Sequence, residues 1–344
     1  MKETAAVTKP AFTLKEILVV IFIIGVLVGL LLPAIHHKPD PLFRAIPNGD
    51  LDLCKQIVEA GKVKQKKYPE YLRLSANFGK MNLVRYFVEE LNTPLEDKEL
   101  FIYAVWGSRW SDNREIVDYL LEKGVPIDAA IATKAENWTL LHVAALAGYT
   151  DICKMAIEKG VDKEALNGNR ETALEIAAEQ GHAEVFHLLI DSGAKFDVKA
   201  INNRSGKTLL HYAAKGGNGD ICQFLWDRGA DLNARDKKGA QPIHDAAGAE
   251  SSHACQVLMD AGADINATYL FMEGYVFAPA DSALYSGRTK SFKLLFEAGA
   301  KYDLHKKQIG SHYGKDVLMI AIAEGDDELA ELLRQYQIAS PSDF

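Results

Sequence analysis

A short pattern returns about every 33 residues along most of this chain, and it limits the fold more than any other feature. It is clearest in the segments Thr139-Leu-Leu-His142, Thr172-Ala-Leu-Glu175, Thr208-Leu-Leu-His211 and Gln241-Pro-Ile-His244. With the weaker copies we count nine units, which start near residues 40, 70, 98, 139, 172, 208, 241, 278 and 316. A fixed period of this length is typical of repeat proteins, in which each unit buries its apolar face against its neighbours.

The positions of the pattern suit a pair of helices. Thr139, Thr172 and Thr208 are good N-cap residues, because a hydroxyl oxygen accepts hydrogen bonds from the free N–H groups of the first helical turn. A second apolar helix then ends at a glycine, the residue that best tolerates a left-handed conformation. These glycines are Gly124, Gly160, Gly193, Gly229, Gly262 and Gly299. The pattern predicts an all-α solenoid with β-hairpin fingers between units and a polar C-terminal cap helix over 326–336.

The repeat resembles the ankyrin repeat, whose unit carries the motif Thr-Pro-Leu-His-x-Ala. The resemblance implies a protein that binds other proteins through its concave face and finger tips. It also implies that His142, His211 and His244 connect neighbouring loops by hydrogen bonds. Ser205-Gly-Lys-Thr208 ends like a phosphate-binding loop, but Ile201 stands where the first glycine of that loop belongs. We therefore predict a protein-binding chain of unknown partner that is not an enzyme and uses no cofactor.

A second strong feature lies near the N-terminus. Nineteen consecutive residues without charge, Ile17 to Ile35, would nearly span a bilayer as a helix at about 1.5 Å per residue. A cleaved signal peptide is the alternative, but its apolar run usually has about 7 to 15 residues. We predict a cytoplasmic leader at 1–11, a transmembrane helix at 12–36, a repeat domain at 40–336 and a tail at 337–344.

Residues 11–35 resemble the N-terminus of type IV prepilins and pseudopilins. In that family a peptidase cuts before a Phe, and a Glu at the fifth mature position is the only charge of the helix. Ala11, Phe12 and Glu16 match the cleavage site and this Glu. Ala11 stands where the family has Gly, Lys15 adds a charge, and no pilin-like globular domain follows. An ordinary signal anchor whose charges lie at the membrane interface remains an alternative.

The basic residues on either side of the apolar run bear on its orientation. Lys2, Lys9 and Lys15 precede it, whereas Lys38 and Arg44 follow it, which slightly favours a cytoplasmic N-terminus. The prepilin resemblance implies the same orientation. We predict a single-pass protein of a bacterial inner (cytoplasmic) membrane, with the repeats outside the cytoplasm. A Gly-x-x-x-Gly spacing at residues 25–29 allows close approach of two helices, and thus a weak helix-mediated dimer.

The spacing of the cysteines argues against disulfide bonds, and the net charge argues against broad nucleic-acid binding. Cys54, Cys153, Cys222 and Cys255 each lie seven residues before a unit-ending glycine, so they occupy one equivalent position. Helices pack about 8 to 10 Å apart, beyond the roughly 7 Å that a disulfide allows, so we predict four buried free thiols. The net charge of -8 argues against broad nucleic-acid binding.

Residues that the repeat does not need are the candidates for partner binding. The finger between residues 264 and 279 is long, and we predict a hairpin that exposes a partner-docking cluster of Tyr269, Phe271, Met272, Tyr275 and Phe277. Alternatively, the next long finger, residues 303–314, covers these side chains. An insertion at 108–114 carries Trp110 as a further candidate, and the shorter fingers offer Trp138, Arg170, Arg204 and Lys237.

These features together predict a membrane-anchored scaffold that binds a protein partner through its concave face and long fingers. The main alternative is a pilin-like structural subunit that enters a secretion or pilus filament through its N-terminal helix. A binder of a secreted effector would be a special case of the scaffold.

Overall fold

The computed structural model describes residues 40–97, 99–109, 112–127, 137–271, 275–302 and 317–339. No helix within these ranges combines the length and the apolar character needed to cross a membrane. The predicted membrane helix at 12–36, its glycine pair and the processing residues Ala11, Phe12 and Glu16 lie outside the described residues. Trp110, Met272 and the finger at 303–314 also lie outside them.

The described residues are mostly helical and form nine successive helix pairs, as the repeat count predicts. The first helices of the pairs are α1 Leu42–Asn48, α3 Tyr68–Asn77, α5 Leu100–Trp106, α7 Leu140–Ala147, α9 Ala173–Glu179, α11 Leu209–Gly216, α13 Pro242–Ala247, α15 Pro279–Tyr285 and α17 Val317–Glu324. The second helices are α2 Leu51–Glu59, α4 Met81–Arg85, α6 Arg114–Glu122, α8 Thr150–Glu158, α10 Ala183–Asp191, α12 Gly219–Trp226, α14 His253–Asp260, α16 Thr289–Glu297 and α18 Asp327–Ala339.

Three short turns complete the helical part. A π-helical turn at Tyr86–Glu90 continues α4, and 3₁₀ turns lie at Gln65–Lys67 and Gly107–Arg109. The last helix, α18, runs to Ala339, whereas the sequence predicts a cap helix that ends at Tyr336. Glu328 of α18 is ion-paired with Lys293 of α16, and this pair connects the last helix to the preceding unit.

The first helices of units one to eight pack against one another in sequence order. Their paired alanines, among them Ala177, Ala178, Ala213 and Ala214, are completely buried, so the helix backbones approach closely. The approach is very tight at Gly216, where an added Cβ would lie 2.4 Å from the carbonyl oxygen of Ala178. The small residues of the pattern are therefore required by the distance between neighbouring units.

The second helices contribute large apolar side chains to the core. Phe186 and Phe292 are both completely buried in this layer. All four cysteines are free and buried, in agreement with the prediction from their spacing. Burial raises the pKa of Cys153, Cys222 and Cys255 to about 12, so these thiols stay protonated and act as small apolar groups.

In units four, six and seven the fourth position of the pattern joins the unit to the next finger. In unit four the backbone N–H of Thr139 donates to His142 Nδ1 at 3.1 Å, and His142 Nε2 donates to the carbonyl oxygen of Ala165 at 3.0 Å. His211 and His244 make the same pair of contacts, with Nε2 donating to the carbonyl oxygens of Ala240 and Ala267 at 3.1 and 3.0 Å. The three histidines thus have the loop-connecting role that the ankyrin resemblance implies.

The β-hairpin fingers expected between units are mostly turns. The described residues contain one two-stranded ladder, in which β1 Tyr269–Leu270 pairs with β2 Val276–Phe277, and one isolated bridge between Ile201 and Thr208. In the shorter fingers a side chain reinforces a tight backbone turn, such as the one in which the backbone N–H of Asn202 donates to the carbonyl oxygen of Lys207 at 2.8 Å. Asn202 Oδ1, for example, accepts from the backbone N–H groups of Arg204 and Ser205 at 2.9 and 3.1 Å. Such a finger is closed by cross-turn backbone bonds together with its own Asn, and it does not extend into a longer ladder of paired strands.

Lowering the pH below about 6.5 should destabilise the solenoid. Burial lowers the pKa of His142, His211 and His244 from the ordinary 6.5, so the unfolded chain takes up protons before the folded chain does. Their contribution to stability is complete above pH 6.5 and is lost as the pH falls toward the folded pKa. Each histidine then costs at most about 1.4 kcal/mol per pH unit below 6.5, for as long as the folded ring stays neutral.

Thermal unfolding of the full chain, followed by circular dichroism from pH 8 to 5, measures this effect. The variant His211→Gln should be less stable at pH 8 and should show a shallower pH dependence, because one of the three imidazoles is gone. A melting temperature with the same pH dependence in the variant and in the original chain would contradict the assignment.

Candidate partner-binding surface

The long finger that leads into unit eight is a hairpin with two different faces. Tyr269 pairs with Phe277 and Leu270 with Val276, and the backbone N–H of Phe271 donates to the carbonyl oxygen of Tyr275 at 2.7 Å. Successive strand residues point to opposite faces, so the paired rings of Tyr269 and Phe277 share a face that Leu270 and Val276 do not. The sequence-based hairpin prediction is therefore correct in this finger.

The aromatic face of the hairpin packs on the solenoid. The rings of Phe271 and Phe277 are stacked with centroids 4.4 Å apart, and Tyr285 of α15 lies 5.4 and 5.9 Å from them. Tyr269 contacts the ring of His244 edge-on at 4.9 Å, and burial raises the pKa of Tyr269 to about 12. These contacts hold the hairpin at the end of unit seven.

This packing corrects part of the predicted docking cluster. Phe277 is only 3% exposed and belongs to the core, while Tyr269 and Phe271 are half-buried. Tyr275 is exposed, as predicted. A ring next to the body of the protein gains more by packing on Tyr285 and His244 than by remaining in water.

The hairpin also exposes residues that sequence reasoning missed. Leu270 and Val276, which form the outward pair of the ladder, are 68% and 50% exposed, and the neighbouring Tyr275 is 44% exposed. Strand alternation alone separates Leu270 and Val276 from the buried rings, so the information was present in the pattern of the finger. The apolar hairpin patch, as we call these three residues, lies on a base of packed aromatic rings.

Trp138, predicted at an exposed finger tip, is buried with 5% of its surface exposed. Its ring meets Trp106 edge-on at 4.8 Å and lies 6.0 Å from His142. Because Trp138 directly precedes the helix cap Thr139, its side chain turns onto the preceding unit and fills the gap between the two units. The prediction of exposure was wrong for this residue.

Arg170, Arg204 and Lys237 are exposed at the tips of three successive fingers, as predicted. We number each finger for the unit into which it leads, so finger 5 is 161–171, finger 6 is 194–207, finger 7 is 230–240 and finger 8 is 263–277. Arg170 adopts a left-handed conformation with φ 62°. We call these three side chains the finger-tip row.

Two lysines on the units behind the row are paired with carboxylates of the chain. Lys215 is ion-paired with Glu179, and Lys207 Nζ donates to both carboxylate oxygens of Asp245 at 2.8 and 3.0 Å. Burial raises the pKa of Glu175, which accepts from the backbone N–H of Thr172 at 2.7 Å. The described residues contain no group of three or more His, Cys, Asp or Glu side chains placed to hold a metal ion.

Comparison with protein families agrees with this architecture. Residues 110–200 and 195–269 match the family model for ankyrin repeats, described as three copies. Residues 110–269 are therefore similar to ankyrin repeats, and this match supports the resemblance drawn from the repeat pattern. Ankyrin repeats are typically non-enzymatic modules that bind protein partners.

Three known proteins illustrate the similarity. A transient receptor potential cation channel subfamily A member 1 homolog of Caenorhabditis elegans is 33% identical over 99 residues, which cover 29% of this chain and 8% of that protein. The NF-kappa-B inhibitor cactus of Drosophila melanogaster is 39% identical over 72 residues, 21% of this chain and 14% of the relative. Palmitoyltransferase AKR1 of Lachancea kluyveri is 28% identical over 218 residues, which cover 58% of this chain and 28% of that protein.

The matched segments are thus less than a third of each relative. They indicate the repeat architecture that this chain shares with these proteins. The activities named for the relatives belong to those proteins.

Substitutions on the two faces of the hairpin should change the free energy of unfolding by different amounts. Phe277→Ala removes a buried, stacked ring and should lower the free energy of unfolding by about 3 kcal/mol or more. Leu270→Ala removes an exposed side chain and should change it by less than about 0.5 kcal/mol. Urea unfolding of both variants measures the difference, and equal losses would show that the outward face is also part of the fold.

Proposed function

We propose that this chain is a membrane-anchored scaffold that binds a protein partner through its fingers and concave face, without catalysis or cofactor. The observation that carries the proposal is the apolar hairpin patch. Leu270, Tyr275 and Val276 stay exposed although the hairpin packs tightly through its other side. Apolar residues held rigidly at the surface are typical of interaction sites, since a partner that covers them needs no ordering of the loop.

The rest of the surface agrees with a binding role for this region. The finger-tip row lies on the three fingers that precede the hairpin, so cationic and apolar groups follow one another along the same edge of the solenoid. Arginine and aromatic side chains are enriched at the residues that contribute most to protein interfaces. An interface of standard size covers about 800 Å² per partner, an area that several successive fingers provide together.

The membrane anchor is the second part of the proposal, and the apolar run of residues 17–35 supports it. The described chain begins at Asp40, whose Oδ2 accepts from Lys67 Nζ at 2.9 Å and from the hydroxyl of Tyr71. Because a residue spans at most about 3.5 Å, a membrane helix that ends at residue 36 would hold the first unit within about 14 Å of the bilayer. The proposed location is an inner membrane with the repeats outside the cytoplasm.

Crosslinking in cells tests partner binding. A photo-crosslinking residue that replaces Tyr275, which is 44% exposed, should give one discrete protein adduct. The double variant Leu270→Ser with Val276→Ser should abolish that adduct, because the apolar contact area is lost, with little change in melting temperature.

A matched control for the crosslinking is Leu53→Ser, since Leu53 is 40% exposed on α2, far along the chain from the hairpin. This variant should keep the adduct at full yield. An adduct that survives the Leu270→Ser and Val276→Ser changes, or that is lost equally in Leu53→Ser, would contradict the proposed site.

Protease accessibility of a C-terminal tag tests the topology. If the repeats lie outside the cytoplasm, protease should remove the tag once the outer envelope is permeabilised and before the inner membrane is broken. Intact mass then shows whether the chain is cut between Ala11 and Phe12. Protection until the inner membrane is broken would place the repeats in the cytoplasm and would contradict this part of the proposal.

A further inference from the structure

The finger-tip row carries positive charge that the chain itself does not neutralise. In the part of the chain that the structure describes, Arg170, Arg204 and Lys237 form no ion pair with a carboxylate. This contrasts with Lys207 and Lys215 on the same units, which are both paired. The chain as a whole has a net charge of -8. The positive charge of the finger-tip row is therefore a local feature that the overall composition does not predict.

The acidic groups closest in sequence to the row are engaged in building the fingers. Glu171 Oε2 accepts from Asn167 Nδ2 at 3.1 Å. Asp236 Oδ1 accepts from the backbone N–H groups of Lys238 and Ala240 at 2.8 and 2.9 Å. These carboxylates shape the turns from within, so the side chains at the tips are the cationic ones.

Hydrogen bonds between fingers hold the row in line. Arg204 Nη1 donates to the carbonyl oxygen of Gly168 in finger 5 at 2.7 Å, and Lys237 Nζ donates to that of Asn203 in finger 6 at 2.6 Å. Arg235 Nη1 in finger 7 donates to the carbonyl oxygen of Thr268 in finger 8 at 3.1 Å. The cations therefore follow one another in order and lead directly to the apolar hairpin patch.

The row keeps donors available for a ligand. A guanidinium has five N–H donors, and Arg204 uses Nη1 alone in the bonds to finger 5. Among the described residues, the side chain of Arg170 has no hydrogen-bond partner. Charge-assisted bonds to carboxylates are stronger than bonds to neutral carbonyl groups, so an acidic ligand would add favourable contacts here.

The spacing of the row matches an extended peptide. Neighbouring helices pack about 8 to 10 Å apart, so we expect the finger tips that lead into them to repeat at about that distance. An extended polyproline II chain rises about 3.1 Å per residue and has three residues per turn, so every third side chain lies on the same face and meets the next tip. A fourth contact at the same interval falls on the apolar hairpin patch.

We propose that the finger-tip row binds an extended acidic segment of a protein, with carboxylates at every third position facing Arg170, Arg204 and Lys237 and an apolar residue on Leu270. This inference rests on the proposed function and names the chemistry of its partner. Single-stranded nucleic acid fits less well, since it is held largely by aromatic side chains that stack on bases, and Trp138 beside this edge is buried.

Peptide binding to the full chain in detergent micelles tests the inference by fluorescence anisotropy. The labelled probe carries Glu at positions 1, 4 and 7 and Leu at position 10 in a Ser/Gly background, and its reversed sequence is included. A comparison peptide of identical composition has the three Glu residues side by side. We expect the spaced probe, in one of its two directions, to bind about fourfold more tightly than the comparison peptide, with affinity that falls as salt rises.

Variants assign the binding to the row. The triple change Arg170→Asn, Arg204→Gln and Lys237→Gln should weaken binding about tenfold, since each exposed pair contributes about a factor of two. Three exposed lysines outside the row supply the matched control, Lys154→Gln, Lys159→Gln and Lys290→Gln. Arg170→Asn alone keeps the fold, because Asn tolerates a left-handed conformation, and it should weaken binding about twofold.

Three results would overturn the inference. They are equal affinity for the spaced and the blocked peptide, equal losses in the row and control variants, and equally tight binding of a single-stranded oligonucleotide. If the row variants keep the crosslinked adduct at position 275 while no peptide binds, the acidic-segment inference fails and the proposed scaffold function stands. The scaffold function has its own test, which is loss of this adduct in the double variant Leu270→Ser with Val276→Ser.

Discussion

The solenoid depends on one buried contact that returns along the chain, the imidazole that joins a helix start to the next finger. His211 accepts from the backbone N–H of Thr208 and donates to the carbonyl oxygen of Ala240. Only the neutral ring makes both bonds, because one nitrogen must accept while the other donates. In unit five Glu175 occupies the same position and accepts from the N–H of Thr172, so a carboxylate serves the cap there. Units four, six and seven are thereby each joined to the finger that follows them.

This construction leaves few residues for binding. The helices bury alanines and cysteines between units, the cap residues satisfy their own turns, and the Asn and Asp side chains of the fingers hold the turns closed. What remains exposed and chemically distinctive is the finger-tip row and the apolar hairpin patch beside it. Both are held on rigid bases, the row by bonds between fingers and the hairpin by the stacked rings of Phe271 and Phe277. Rigid display lowers the entropy cost of binding.

Much of the fold was predictable, because the repeat acts through local chemistry. N-caps, glycine ends and the equivalent positions of the cysteines are decided within one unit, and the structure contains them. The errors concern side chains whose surroundings come from distant residues. Trp138 was expected at a tip and is buried on Trp106, and Phe277 was expected in solvent and is stacked on Phe271. The expected hairpins are mostly tight turns, in which Asn202 and its equivalents bond to the finger backbone beside the cross-turn backbone bonds.

The sequence by itself determined the number of units, their helix pairs, the buried thiols and the cationic tips, because a period of about 33 residues repeats the same local interactions. Tertiary structure alone decided which face of the long finger meets solvent and how the tips align. Those outcomes depend on distances between units, where Tyr285 and His244 provide a surface for aromatic rings, and no local pattern encodes such distances.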